Sequence, residues 1–225
     1  NFEITNFDNQ VFGPLDLRRA FIYSVNTYFA SKTNEMGKES LMNMTDKYMF
    51  NKPYEFDLEK YDSVIPYKEL NQADLAMTGF GYGKTQVTPL HMAMITSTIA
   101  NGGVMMKPRL VSTITDKDDN VIYENKKEIL SKVTNMTNAN TIRDLMVDVV
   151  NEGTAKGAYV DGIQVAGKTG TADKANGFID AWFVGFAPAY DPKIAVAIVV
   201  ENSSDTGGVT VAPIAGNLIR AVSYT

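Results

Sequence analysis

The last third of the chain alternates between helical and strand-like hydrophobic patterns, and this order constrains the fold most strongly. Apolar residues recur at helical spacing over residues 138–151. Strand-like runs follow at 162–171, 179–187 and 194–201, and an amphipathic run extends from 210 to 222. A turn composition, Ala-Tyr-Asp-Pro, joins the last two strand-like runs and predicts an antiparallel hairpin. We therefore predict an α+β fold, in which an antiparallel sheet has helices packed on both faces.

The first half of the chain is mainly helical in pattern. One helix is predicted to begin after a cap at Asp16, and Ser24-Val25-Asn26 falls at the junction between this helix and the next. Thr88-Pro89 is a strong helix start, because a capping hydroxyl precedes a proline at the first helical position, and it predicts a helix over 89–100. Residues 109–124 are typical of a hairpin with a charged tip.

Composition excludes several classes of function. The 225 residues carry a net charge of −5, so the chain has no basic field that would attract nucleic acid, and we expect no nucleic-acid partner. There is no cysteine, which excludes disulfides, thiolate nucleophiles and zinc-thiolate sites. His91 is the only histidine, so a multi-histidine metal site cannot be built within the chain, and we expect it to be a surface or packing residue. We predict no cofactor and no metal, although carboxylate-only metal sites remain possible.

One segment satisfies the phosphate-binding pattern G-x-x-x-x-G-K-[ST]. It runs from Gly162 to Thr169 and, as a pattern alone, suggests binding of ATP or GTP. That loop requires a helix that opens at the lysine, so that the first amides of the helix face the phosphates. Here the intervening residues alternate as in a strand, and Gly170 and Gly177 bracket a short loop instead. We therefore keep nucleotide binding only as a minor alternative.

The same lysine belongs to a second motif, Lys168-Thr169-Gly170-Thr171, at the end of a strand-like run. Alternation along a strand puts Lys168 and Gly170 on one face, where the glycine leaves space beside the ammonium group. The ammonium group, the hydroxyls of Thr169 and Thr171 and unpaired amides of the strand edge would together receive a carboxylate and a developing oxyanion. Taken alone, a lysine at a strand end is also compatible with solvated surface, just as Ser24 and Asn26 alone are compatible with a simple turn between helices.

In combination, these motifs resemble the transpeptidase domain of class B penicillin-binding proteins, the bacterial enzymes that cross-link peptidoglycan. Their superfamily combines S-x-x-K with S-D-N and K-T-G motifs. Ser24-Val25-Asn26 is similar to the second motif and Lys168-Thr169-Gly170 to the third. Residues 81–103 and 181–188 are also similar to segments of this family, so the resemblance covers nearly the whole chain.

The first motif is missing, because no serine in these 225 residues is followed three positions later by a lysine. In the family that motif lies upstream of the second one. We therefore expect residues 1–225 to be the C-terminal part of a single transpeptidase domain, truncated before the S-x-x-K motif and inactive by itself. The resemblance also implies a five-stranded sheet, two strands of which would precede Asn1.

The resemblance implies a role for each candidate residue. Ser24, Asn26 and Lys168 would be catalytic: Ser24 would relay a proton, Asn26 would bind the substrate amide, and Lys168 would supply positive potential. Thr169, Gly170 and Thr171 would bind the substrate, with the two hydroxyls on its terminal carboxylate and the Thr171 amide in the oxyanion hole.

The expected activity is D,D-transpeptidation of stem peptides that end in D-Ala-D-Ala, through an acyl-enzyme that β-lactams also form. The expected partners are peptidoglycan stem peptides, β-lactams and cell-wall synthesis proteins. The expected location is the extracytoplasmic face of the bacterial membrane, with an anchor absent from this sequence. A serine β-lactamase or a β-lactam sensor domain shares the three motifs and stays open as an alternative.

Overall fold

The structure is a computed structural model that describes residues 3–174 and 177–223. The helices are α1 (Leu17–Ile22), α2 (Asn26–Met36), α3 (Lys38–Lys47), α4 (Gln72–Thr78), α5 (Pro89–Ala100), α6 (Met136–Asn151), α7 (Gly207–Thr210) and α8 (Ala212–Ser223). The strands are β1 (Val104–Met106), β2 (Thr113–Thr115), β3 (Val121–Glu124), β4 (Ile129–Lys132), β5 (Ala166–Asp173), β6 (Ile179–Ala187) and β7 (Ile194–Ser203).

The main sheet is antiparallel and has the order β5-β6-β7. Strand β6 occupies the predicted run 179–187, and β7 extends to Ser203 instead of ending at 201. The predicted start of β5 at 162 is wrong, because the strand begins at Ala166. Gly162 adopts a left-handed φ of 76° and forms a tight turn with Asp161. This turn pairs Ile163 with Val160, so the chain joins β6 only from Ala166 onwards.

Helices cover both faces of this sheet, as the hydrophobic pattern predicts. On one face, Phe186 of β6 packs with Met146 of α6 and with Ile99 of α5. On the other face, Phe183 of β6 packs with Ile219 of α8. The α+β arrangement with helices on both faces is therefore confirmed for the described residues.

Local capping signals predict where the helices begin. The Asp16 carboxylate accepts a hydrogen bond of 2.8 Å from the backbone N–H of Arg19, and Thr88 caps α5 in the same way. Helix α5 has the predicted bounds, whereas α6 begins at Met136, two residues before the predicted start at 138, because the Asn135 side chain caps it there. None of the helices in the described ranges has the length and the apolar character needed to cross a membrane.

Two small hairpin-like pairings lie outside the main sheet. Strands β2 and β3 form the hairpin predicted within 109–124. Strands β1 and β4 pair with each other around it, and the sequence did not predict them. Three or four residues are too few to show a hydrophobic period, so the sequence pattern does not indicate β1 or β4.

His91 is a buried packing residue, in agreement with the expectation. Its imidazole is fully buried and lies against the ring of Phe50, with the ring centroids 4.8 Å apart. Nε2 donates to the backbone carbonyl of Tyr48 at 2.6 Å, and Nδ1 has no hydrogen-bond partner in the described part of the chain. Burial lowers the pKa of His91 below its ordinary value of 6.5.

This burial predicts that the protein loses stability in mild acid. Below about pH 6.5 the unfolded chain protonates its histidine while the folded chain resists, so the free energy of unfolding should fall as the pH decreases below that value. Urea unfolding of the natural polypeptide that contains these residues, hereafter the intact protein, would measure this at pH 7.5 and 5.5. The His91→Gln variant is the control, because glutamine can donate to Tyr48 but does not titrate. Equal losses in both proteins would contradict the prediction.

The outer edge of β7 generates a second prediction. Within the described residues β7 pairs only with β6, although residues 194–200 are apolar throughout. An unpaired apolar edge promotes association between chains. We expect residues 1–225, expressed alone, to elute from size exclusion as oligomers or aggregates, with the intact protein as the control. A soluble monomer of residues 1–225 with a cooperative melt would contradict this expectation.

Candidate active site

A cleft of about 1180 Å³ opens beside strand β5. Its walls come from β5, the N-terminal segment 3–10, the junction between α1 and α2, the loop that follows α4, the turn after α6 and the segment that begins α7. All six residues singled out from the sequence line it: Ser24, Asn26, Lys168, Thr169, Gly170 and Thr171. The fold therefore brings the Ser-x-Asn and Lys-Thr-Gly motifs to one site.

A direct hydrogen bond joins the two motifs. The Nζ atom of Lys168 donates to Ser24 Oγ at 2.8 Å, across 144 positions of sequence. It also donates to the backbone carbonyl of Thr169 at 2.8 Å. Since two neutral oxygens hold the ammonium group and no salt bridge neutralises it within residues 3–174 and 177–223, its charge remains directed at the cleft.

Burial changes the acidity of this lysine. Lys168 lies on the cleft wall, where the loss of hydration lowers the pKa of its ammonium group from 10.5 to about 8. The group stays mainly protonated at neutral pH. It can therefore stabilise a carboxylate or an oxyanion while holding its proton less tightly than a surface lysine does.

Ser24 has a strained backbone. Its φ is 55°, in the left-handed region that residues other than glycine seldom adopt. Backbone hydrogen bonds from Ser24 to Phe21 and from Val25 to Ala20 hold this conformation where α1 ends. Strain of this kind persists where the surrounding structure determines the position of a side chain, and here it directs the serine towards Lys168.

Asn26 is the first residue of α2, and its side chain contacts the segment that precedes α1. Its Nδ2 atom donates to the backbone carbonyl of Thr5 at 3.2 Å. The Asn6 side chain accepts from the N–H of Thr27 at 3.0 Å and so ties the same segment to the start of the helix. A peptide carbonyl of the chain itself thus accepts from one of the two N–H donors of the Asn26 side chain.

The end of β5 has further partners that the sequence did not reveal. The hydroxyl of Thr169 lies 2.7 Å from that of Thr154, and the N–H of Gly207 donates weakly to the Thr171 hydroxyl at 3.4 Å. A Cβ atom at Gly170 would lie 3.2 Å from the Cβ of Trp182, so the space beside this glycine is narrow. In the sequence, Gly153 and the Gly207-Gly208 doublet indicate turns near these segments, but a turn signal alone does not predict a contact with β5.

The geometry of a phosphate-binding loop is absent. Lys168 lies inside β5, and the helix that such a loop needs does not open at this residue. The nucleotide interpretation therefore has no structural basis at this position. Among the described residues, no group of three or more His, Cys, Asp or Glu side chains could hold a metal ion.

Comparison with known families agrees with the resemblance that the sequence motifs indicate. The model of the penicillin-binding protein transpeptidase domain matches residues 1–220. The chain belongs to this family. Within it, the chain is 35% identical over 222 residues to the peptidoglycan D,D-transpeptidase PbpA of Mycobacterium tuberculosis, and it is 34% identical over 216 residues to the stage V sporulation protein D of Bacillus subtilis.

Solved structures of family members have the same fold. The D,D-transpeptidase domain of a peptidoglycan glycosyltransferase from Eggerthella lenta superposes with a TM-score of 0.92 at 34% identity, over 98% of this chain and 56% of that one. The imipenem acyl-enzyme complex of penicillin-binding protein A from M. tuberculosis gives a TM-score of 0.90 at 33% identity, over 98% and 51%.

The matches to curated relatives cover only part of those proteins. The match to PbpA covers 92% of this chain and 44% of the relative, and the match to the sporulation protein covers 88% and 32%. The chain thus spans less than half of either relative.

The environment of Lys168 predicts a lysine that titrates near pH 8. In the intact protein labelled with ¹³C-lysine, we expect one side-chain resonance with a midpoint about two pH units below that of ordinary lysines. This resonance should disappear in Lys168→Gln and remain in Lys193→Gln, a change at an exposed lysine. A midpoint for Lys168 close to that of the exposed lysines would contradict the prediction.

Proposed function

We propose that residues 1–225 are the C-terminal part of a D,D-transpeptidase domain whose nucleophilic serine lies elsewhere in the intact protein. The hydrogen bond between Lys168 and Ser24 carries this proposal, because it joins the second and third family motifs in one cleft. The absence of S-x-x-K from the sequence and the partial coverage of the relatives support a serine outside these residues.

The reaction is acyl transfer in two steps. The serine oxygen attacks the carbonyl carbon of the penultimate D-Ala, a C–O bond forms, and the peptide C–N bond breaks. The terminal D-Ala leaves with a proton on its nitrogen. An amine of a neighbouring stem peptide then attacks the ester, which forms the cross-link and restores the serine hydroxyl.

Ser24 is suited to deliver the proton to the leaving nitrogen. Its oxygen accepts from the Lys168 ammonium group, so the hydroxyl proton is left to donate elsewhere. The adjacent positive charge makes that proton easier to release. Once the proton has moved, Lys168 stabilises the resulting negative charge at a distance of one hydrogen bond.

The end of β5 is suited to bind the substrate. The outer edge of β5 pairs with no strand in the described part of the chain, so its backbone amides can bind an extended peptide and an oxyanion. The hydroxyls of Thr169 and Thr171 flank Gly170 and supply donors for the terminal carboxylate. The amide of Thr171 supplies half of the oxyanion hole.

We infer the setting from the same relatives. Proteins named peptidoglycan D,D-transpeptidases act on the cell wall, so this site would work on the extracytoplasmic face of the bacterial membrane. A membrane anchor and contacts with other cell-wall synthesis proteins would come from parts of the intact protein outside these residues.

Covalent labelling of the intact protein by fluorescent penicillin tests the proposal. We expect a stable acyl-enzyme, and we expect Lys168→Ala to slow acylation about 10²- to 10³-fold because an electrostatic group of the site is lost. Lys193→Ala, at an exposed lysine on the turn before β7, is the matched control and should label at the normal rate. Residues 1–225 alone should remain unlabelled.

Each contrary outcome is informative. Acylation of Lys168→Ala within about threefold of the normal rate would remove this lysine from the mechanism. Labelling of residues 1–225 alone would show that a nucleophile lies within them. Release of the acyl group in minutes or faster would indicate a β-lactamase, whereas release over hours fits a transpeptidase or a sensor.

A further inference from the structure

The turn after α6 contacts three walls of the cleft. Gly153 packs against the end of α1, where a Cβ atom on the glycine would lie 2.6 Å from the carbonyl oxygen of Ile22. Gly208, in the segment that begins α7, packs against the other side of the turn, and a Cβ there would lie 2.5 Å from the carbonyl oxygen of Thr154. Both approaches require glycine, so the backbone of the turn has little freedom to move.

Hydrogen bonds to α6 hold the same turn in place. The N–H groups of Gly153 and Ala155 both donate to the carbonyl of Val149, each at 3.1 Å. Ala155 is fully buried, whereas Thr154 between them is exposed and lines the cleft. The hydroxyl of Thr154 therefore projects into the cleft from a fixed backbone and lies 2.7 Å from the hydroxyl of Thr169.

We propose that Thr154 is a positioning residue that orients the Thr169 hydroxyl for capture of the substrate carboxylate. This inference rests on the proposed function. An ionised carboxylate only accepts hydrogen bonds, so Thr169 must use its single proton on the substrate. Its oxygen is then left to accept a hydrogen bond, and the Thr154 hydroxyl, 2.7 Å away, can donate it. The resulting chain from Thr154 through Thr169 to the carboxylate strengthens each bond along it.

Comparison of a carboxylate ligand with a neutral one tests this role in the intact protein. The ligands are benzylpenicillin and its carboxylate methyl ester, and the readout is the second-order rate constant of acylation. Thr154→Val should lower the rate for the free acid about threefold to tenfold and leave the rate for the ester nearly unchanged. Thr154→Ser keeps a hydroxyl, so its ratio of acylation rates for the acid and the ester should stay close to that of the unaltered protein. Thr141→Val, on α6 outside the cleft lining, is the matched control.

A double-mutant cycle separates this role from a structural one. If Thr154 acts through Thr169, Thr154→Val should cause no further loss in a Thr169→Val background. Equal losses with both ligands, or a full additional loss in that background, would overturn the inference while the proposed function stands. Failure of the unaltered intact protein to react with benzylpenicillin would overturn both.

Discussion

The position of the candidate site depends on one close contact inside the sheet, between the ring of Phe183 and two glycines. Gly167 of β5 and Gly185 of β6 are directly paired, and a Cβ atom on either one would lie within 3 Å of that ring. The ring fills the space that two side chains would otherwise occupy, so β5 lies flat against the core. Lys168 is the next residue along β5 and projects to the opposite face of the sheet from Gly167. The packing of the Phe183 ring thus fixes how closely β5 approaches the core, and with it the position of the Lys168 ammonium group relative to Ser24.

That arrangement explains why an ammonium group can be held in a partly dehydrated cleft. Desolvation of a charge is costly, and the lowered pKa of Lys168 expresses this cost. The hydroxyl of Ser24 and the carbonyl of Thr169 offset part of the cost. Because both partners are neutral, they leave the positive charge in place, whereas a carboxylate partner would neutralise it. A neutralised lysine would have little attraction left for a substrate carboxylate, so the choice of neutral partners keeps the site receptive.

Local signals in the sequence predicted where α1 and α5 begin, because caps act within a few residues, whereas α4 was not predicted. Asp16 and the Thr88-Pro89 pair mark helix starts that the structure confirms. Residues 162–165 were predicted to belong to the strand because their apolar residues alternate. The structure begins β5 at Ala166 instead, after a turn that contains the left-handed Gly162. The clustering of Ser24, Asn26 and Lys168 could be expected only from the resemblance to a family, since no local pattern brings together residues 144 positions apart. Thr154 could not be predicted as a site residue for the same reason, because only its contact with Thr169 in the folded chain indicates a role.

The two outer edges of the main sheet explain why the site lies on β5. Both β5 and β7 lack a second neighbour within the described residues. The edge of β7 is apolar, whereas β5 ends in lysine, threonines and glycine and faces a cleft. Unpaired backbone groups on an apolar edge favour another strand, but beside hydroxyls and an ammonium group they favour an extended peptide with a charged end. The same unpaired backbone groups that make an edge strand hazardous thus suit β5 to the extended peptide that we propose as its substrate.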